Sequence, residues 1–294
     1  MPLTQLNFQP GIDTENTQTG AEGRWTDGDK IRFRKGLPQK IGGWTKFSEA
    51  YYVGVGRALE QWFALDGARY EALGTDRKIY VYQGGDNQDI TPIRATANIV
   101  NAFTTSNTSS NVVITHSAHG AILGDFVTIT NTSTAVGGIP AATLDAEYEI
   151  LEINNSTAYT IQSNASATSN AGPTGNCTVS YQLNIGPSIQ TFGFGWGAGA
   201  WSAGTWSTPR TTSQIVLDAR LWSINNWGQD LVITQKDGST YEWLESGGMT
   251  DNRATVIANA PTTSTLSLVS TETRHVVCMG TETTIGDAST QEKM

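Results

Sequence analysis

Three histidines occur in the 294 residues, and the one close pair, His116-Ser-Ala-His119, ends a stretch that alternates apolar and polar residues. Two imidazoles at that spacing could ligate a metal. A zinc site needs a third and usually a fourth ligand, and the nearest carboxylate, Asp125, lies across a glycine turn with no further His or Cys nearby. The pair is therefore expected to shape a turn, His-x-x-His-Gly, ahead of Gly124-Asp125. Asp27-Gly-Asp29 offers oxygens for calcium but lacks a third ligand and a distal Glu, and Lys30 and Arg32 occupy the ligand space. Glu147/Glu149 and Glu242/Glu245 are carboxylate pairs of the kind that glycosidases use as acid and base. They fall on alternating strands, where solvent-facing positions are the expectation. Cys177 and Cys278 lie in different blocks without CxxC spacing, so two buried thiols are expected rather than a disulfide framework or zinc site. With no G-x-S-x-G elbow, phosphate-binding glycine loop or dinucleotide fingerprint, the residues predict no catalytic, metal or cofactor site, and a chain that is not an enzyme.

The elements that carry these residues read as β throughout. Trp62 to Gly85, WFALDGARYEALGTDRKIYVYQGG, and Trp222 to Gly247, WSINNWGQDLVITQKDGSTYEWLESG, share one layout. In each, an aromatic strand runs into a polar turn, a second strand follows (Tyr70 to Gly74; Asp230 to Thr234), and a third ends in aromatics (Lys78 to Tyr82; Thr240 to Trp243). That is an antiparallel meander, the unit of β-propellers. One meander cannot bury its apolar face alone, so stacked neighbours are required. The predicted fold class is all-β: propeller-type blades with an inserted small β-sandwich or barrel, in a chain that forms part of a longer propeller protein.

Four segments follow. Residues 1–44 form an N-terminal hairpin and docking segment, in which Ile31 and Phe33 alternate with Lys30, Arg32 and Arg34, leaving one basic strand face. That face is either a solvated surface or a docking edge for another subunit. Residues 45–93 are blade material. Residues 94–187 change to Ser, Thr, Asn and Ala, and hold five alternating strands: Asn111 to His116, Asp125 to Thr130, Glu147 to Ile153, Ala158 to Gln162 and Cys177 to Leu183. Residues 188–294 return to blade texture. They include a Gly-rich run with Phe192, Phe194, Trp196, Trp201 and Trp206, either packed internally or offered as an intersubunit or lumen-facing loop. The last strands, Thr265 to Val269 and Arg274 to Met279, open a blade that is incomplete at residue 294.

With 18 Lys plus Arg against 27 Asp plus Glu, the formal charge is −9, which disfavours a surface that grips nucleic acid. An acidic wall would let a polyanion slide. The opening MPLTQLNFQPGID lacks a basic region followed by an apolar core, and no stretch approaches a membrane span, so a soluble chain without export signal or membrane insertion is expected.

PGID-x-E, GRWTDGDKIRFRKGLPQKIGGW, FGFGWGAGAWSAGTW and WSINNWGQDLVITQKDGSTYEW together resemble the tail nozzle family of short-tailed bacteriophages, also called tail tubular protein B, the hub and DNA-stabilisation proteins. THSAHGAILGDFVTIT and EYEILEINNSTAYTI are similar to a small β module of phage tail proteins. The resemblance implies a virion protein made in the host cytoplasm: a homohexameric ring below the portal and adaptor, touching tail fibre proteins, through whose lumen genomic DNA is retained and ejected. Family members continue for hundreds of residues where this chain ends mid-blade. Trp-rich loops on β scaffolds also suit sugar faces, so a phage or cell-surface glycan-binding adhesin is the alternative expectation.

Overall fold

A computed structural model describes residues 8–46, 51–184, 219 and 221–292, and the chain divides into two compact units, Met1–Phe47 and Ser48–Met294. In the first unit, β1 (Gln9–Ile12) pairs in parallel with β2 (Arg24–Trp25), and β3 (Ile31–Arg34) forms a hairpin with β4 (Leu37–Lys40). Lys35 and Gly36 join the hairpin at φ of 52° and 79°, the two left-handed residues that a tight hairpin turn requires. Trp25 lies between Phe8 and Phe33, at 5.6 and 6.5 Å between ring centres.

In the second unit, two four-stranded antiparallel meanders, called blades for their strand layout alone, contain the two aromatic repeats. The first is β5 (Gly56–Phe63), β6 (Arg69–Thr75), β7 (Ile79–Gln83) and β8 (Asp86–Asp89). The second is β17 (Trp222–Trp227), β18 (Asp230–Gln235), β19 (Thr240–Trp243) and β20 (Thr255–Val256), followed by the hairpin β21 (Leu266–Val269) and β22 (Val276–Met279). Each blade has one strand more than its apolar pattern predicts. The extra strand β8 reads Asp-Asn-Gln-Asp, a composition with low β propensity that forms here only because β7 offers it a paired edge.

One aromatic core joins the blades. Trp62 stacks on Tyr70 at 5.3 Å, and Trp243 meets both rings edge-on at 6.3 and 5.9 Å. Trp222 lies over Gly74, where an added Cβ would fall 2.6 Å from the indole, and its Nε1 donates to the Thr75 carbonyl at 2.6 Å. The bare glycine backbone is what lets the second blade approach the first. First strands lie side by side, β17 between β5 and β21. The all-β class holds; the described sheets do not close into a ring or a barrel.

Between the blades, residues 93–182 form one eight-stranded sheet folded over its own core. Its order is β15 (Ala171–Thr174), β10 (Phe103–Thr105), β11 (Asn111–Thr115), β14 (Ala158–Gln162), β13 (Glu147–Asn155), β12 (Phe126–Thr130), β16 (Cys177–Gln182), β9 (Ile93–Ile99). The long β13 pairs with β12 through its first residues and with β14 through its last, with register shifts between, so it carries the sheet around a corner. Phe103, Ile114, Ile129, Tyr159, Val179 and Tyr181 are buried inside. The chain enters on β9 and leaves on its partner β16, and the Leu183 amide donates to the Pro92 carbonyl at 2.8 Å. Among the described residues, no helix is long and apolar enough to cross a membrane.

Candidate functional site

Where β5, β17 and β21 come together at one end, they enclose a cleft of about 680 Å³. Glu60 and Phe63 of β5 and the following Leu65 form one wall. The β17–β18 turn forms the floor with Asn226, Trp227, Gly228 and Asp230. Val269, Ser270 and Arg274, around the β21–β22 turn, form the other wall.

Hydrogen bonds from the floor hold both walls. Trp62 Nε1 donates to the Gln229 carbonyl at 2.9 Å, and the Leu65 amide donates to Gln229 Oε1 at 3.2 Å. On the opposite side, Trp227 Nε1 donates to the Arg274 carbonyl at 2.7 Å, while Ser223 Oγ and Asn225 Nδ2 donate to the Ser267 carbonyl at 2.6 and 3.0 Å. Gly228 takes the left-handed φ of 78° that the turn demands. The cleft is therefore preformed, and a ligand would not have to order it.

Its chemistry is mixed. Phe63 is 66% exposed and Leu65 85%, and the Arg69 guanidinium lies 5.5 Å from the Phe63 ring centre. Asp230 Oδ1 accepts from the Glu245 amide at 3.0 Å, and Glu245 accepts the Tyr70 hydroxyl at 3.0 Å, so these groups support the floor. Burial, followed by that carboxylate, pushes the Tyr70 phenol up to about 12. The side chains of Glu60, Asn226 and Arg274 have no hydrogen-bond or ion-pair partner among the described residues. Desolvation raises the Glu60 carboxyl above its ordinary range. The cleft thus sets aromatic and aliphatic surface beside solvated polar side chains.

No protein family and no curated protein matches this sequence. A solved structure described as phage phi92 endosialidase is similar over 76% of this chain at 11% identity, with a TM-score of 0.27. This chain spans 32% of that one. The sequence expectation that the chain is not an enzyme is withdrawn on this finding, because the similar protein is described as an enzyme. At that TM-score the likeness assigns neither fold nor activity here.

The sequence-predicted sites lie elsewhere. Arg32 and Arg34 are exposed on β3, and Arg32 Nε donates to Gln39 Oε1 at 3.2 Å. Lys30 stands before the strand at φ 57°, 3.7 Å from Asp29, so the strand itself presents two of the three cations. Phe192, Phe194, Trp196, Trp201 and Trp206 lie outside the described residues. His119 Nδ1 accepts from the Ala121 amide and its Nε2 meets the Asn155 carbonyl, both at 3.0 Å, which fixes the turn. His116 Nδ1 meets the Tyr181 hydroxyl at 2.7 Å. Burial lowers the His116 imidazole and raises the Asp125 carboxyl. Cys177 is buried, its thiol pushed up to about 11, whereas Cys278 is only half-buried.

Glu147 and Glu149 correct the expectation of plain solvent-facing positions. Glu149 pairs with Arg77, and Glu147 with Lys78 and Arg253. Lys78 is the unexpected member, a lysine with a buried side chain whose Nζ donates to Asp89 at 2.9 Å and lies 4.4 Å from the Phe126 ring centre. None of the cleft residues was singled out in the sequence as a site. The available signal was Phe63 and Leu65, large apolar residues at the positions that alternate with the buried Trp62 and Ala64.

Proposed function

We propose that this chain is a component of a bacteriophage tail that acts as an adhesin, its β scaffold presenting a cleft that binds a cell-surface glycan. The observation that carries the binding role is the preformed cleft, with Phe63 exposed beside Glu60, Asn226 and Arg274, whose polar side chains have no partner among the described residues. Sugars present C–H faces that pack on aromatic rings and hydroxyls that need convergent polar groups. The phage assignment is supported by the tail-protein resemblance of residues 23–44 and 222–243. In this reading residues 94–187 are an inserted domain and the flanking segments are the scaffold. Titrating the purified chain against a panel of cell-surface glycans tests it, and absence of binding to every glycan refutes it.

A second reading, the tail nozzle, is favoured by the side-by-side placement of β5, β17 and β21, which suits inner strands around a propeller axis. Here six copies would form a ring between adaptor and fibre proteins, with genomic DNA passing weakly through the lumen. Native mass spectrometry separates the readings: a hexamer supports the nozzle, and a monomer or trimer that binds glycan supports the adhesin.

A further inference from the structure

We infer that Asp27-Gly28 is a site of spontaneous covalent modification, at which aspartate converts to isoaspartate through a cyclic imide, and that the fold confines this chemistry to one of three Asp-Gly pairs. It does so whichever tail role the chain performs.

The three pairs are Asp27-Gly28, Asp66-Gly67 and Asp237-Gly238. Glycine favours the reaction in each, because no Cβ shields the amide nitrogen that must reach the preceding carboxyl. The structure separates them. Gly67 donates its amide to the Ala64 carbonyl at 3.0 Å, and Asp66 Oδ1 accepts from the Ala68 amide at 2.8 Å. Gly238 donates its amide to the Gln235 carbonyl at 2.9 Å, and Asp237 Oδ1 accepts from Gln291 Nε2 at 3.0 Å. In both turns the nucleophile and the electrophile are held by other groups. At Asp27 they are held on each other. The Gly28 nitrogen lies 2.7 Å from Asp27 Oδ1, which is bonded to the Cγ that this nitrogen attacks, so the reacting groups are already in contact as ring closure requires. The Gly28 amide donates to no backbone carbonyl among the described residues. Both residues are exposed, so water reaches the site. Glycine is also required here, since a Cβ on Gly28 would fall 2.5 Å from Ile31 Cδ1.

In the first step the Gly28 nitrogen bonds to Asp27 Cγ and the bond from Cγ to the acid hydroxyl breaks. The hydroxyl leaves as water, with the amide proton. Water then opens the five-membered imide at one of its two carbonyls: addition at Cγ restores aspartate, and addition at the main-chain carbonyl leaves the chain running through Cβ and Cγ. That product is isoaspartate, and no co-reactant other than water is consumed. The methylene added to the main chain falls between β2 and β3, just ahead of Arg32 and Arg34.

The test is incubation of the whole chain at about pH 5, where carboxyl groups still exchange protons readily, followed by peptide mapping with electron-based fragmentation, which distinguishes isoaspartate from aspartate. In the folded chain Asp27 should accumulate isoaspartate at least roughly tenfold faster than Asp66 or Asp237, each of which must first give up two hydrogen bonds. In urea the three rates should converge to within about threefold, because the local dipeptide is then all that distinguishes them. Asp27→Ser, at an exposed position, should remove most of the methyl label that an isoaspartate methyltransferase adds to the folded chain. Equal rates at the three pairs in the folded chain, a lead by Asp66 or Asp237, or label retained in Asp27→Ser overturns the inference. So does a folded chain that forms no isoaspartate while the chain in urea does.

Discussion

Lys78→Met is expected to destabilise the second unit by about 2–4 kcal/mol while leaving its fold intact. The side chain of Lys78 is 3% exposed, and its ammonium serves Asp89 and Glu147 at once. Removing one partner of a buried ion pair costs about 3–5 kcal/mol, because the charge left behind has lost both water and its partner. Two features reduce that figure. Arg253 stays 3.4 Å from Asp89, and the Glu147 side chain is one-third exposed, so water and the guanidinium take over part of the interaction. Methionine keeps an unbranched apolar stem of similar length but loses the ammonium that lies 4.4 Å from the Phe126 ring centre. Urea unfolding followed by the fluorescence of the buried Trp62, Trp222 and Trp243 measures the change. The pH dependence supplies a second readout. Burial raises the Asp89 carboxyl, but the Lys78 and Arg253 charges outweigh it and hold the group below its ordinary range. Its stabilisation is therefore present at neutral pH and lost as pH falls through the carboxylate range. In Lys78→Met the acid loss should start at higher pH. A cost below about 1 kcal/mol, or a Glu147→Gln variant as unstable as Lys78→Met, would refute the assignment of Lys78 as the centre of this network.

Other outcomes are equally open to measurement. Arg32→Glu with Arg34→Glu should impair assembly into rings, if the nozzle reading holds, without unfolding the monomer; native mass spectrometry with circular dichroism checks both. Joining Pro92 to Leu183 by a short linker should leave the blades folded, since these residues already share a hydrogen bond, but less stable because Lys78 and Arg77 lose Glu147 and Glu149. An insoluble product would contradict it. Burial raises the Glu282 carboxyl, yet amide donors from Gly286, Thr262 and Thr263 outweigh this and lower it, so the tie it makes is present at neutral pH and weakens as pH falls. Glu282→Gln should therefore speed amide exchange at Thr262 and Thr263 at pH 7.

Five of the eight strands of the inserted sheet were legible because their cores alternate β-branched and aromatic residues with polar ones; β9, β10 and β15 were not read. Asn111 to His116 and Ala158 to Gln162 coincide with β11 and β14 to within a residue. Strands without that contrast were not legible: β8 and β15 hold polar residues, glycine and proline, and exist through the neighbours they pair with. The cleft was illegible for a related reason. Glu60, Trp227 and Arg274 come from three sheets, and the local period of each strand shows only which face it turns inward. The burial of Lys78 was illegible too, because a lysine at a strand start is ordinarily exposed and its burial follows from Asp89 on the β8 strand of its own sheet and Glu147 of the inserted sheet.

The Pro92–Leu183 hydrogen bond also bears on how the chain reaches this structure. Trp62 and Gln229 are 167 residues apart, and joining them in an unfolded chain closes a long loop. Once the eight-stranded sheet has formed and brought its own ends together, the loop still to be closed is roughly halved, a gain of only about 0.6 kcal/mol because closure entropy grows with the logarithm of length. The order of folding is thus weakly biased toward the insert first. The length and surface of the insert impose almost no entropic load on the blades, so changes in its exposed loops would leave the Trp62–Gln229 contact and the cleft beside it in place.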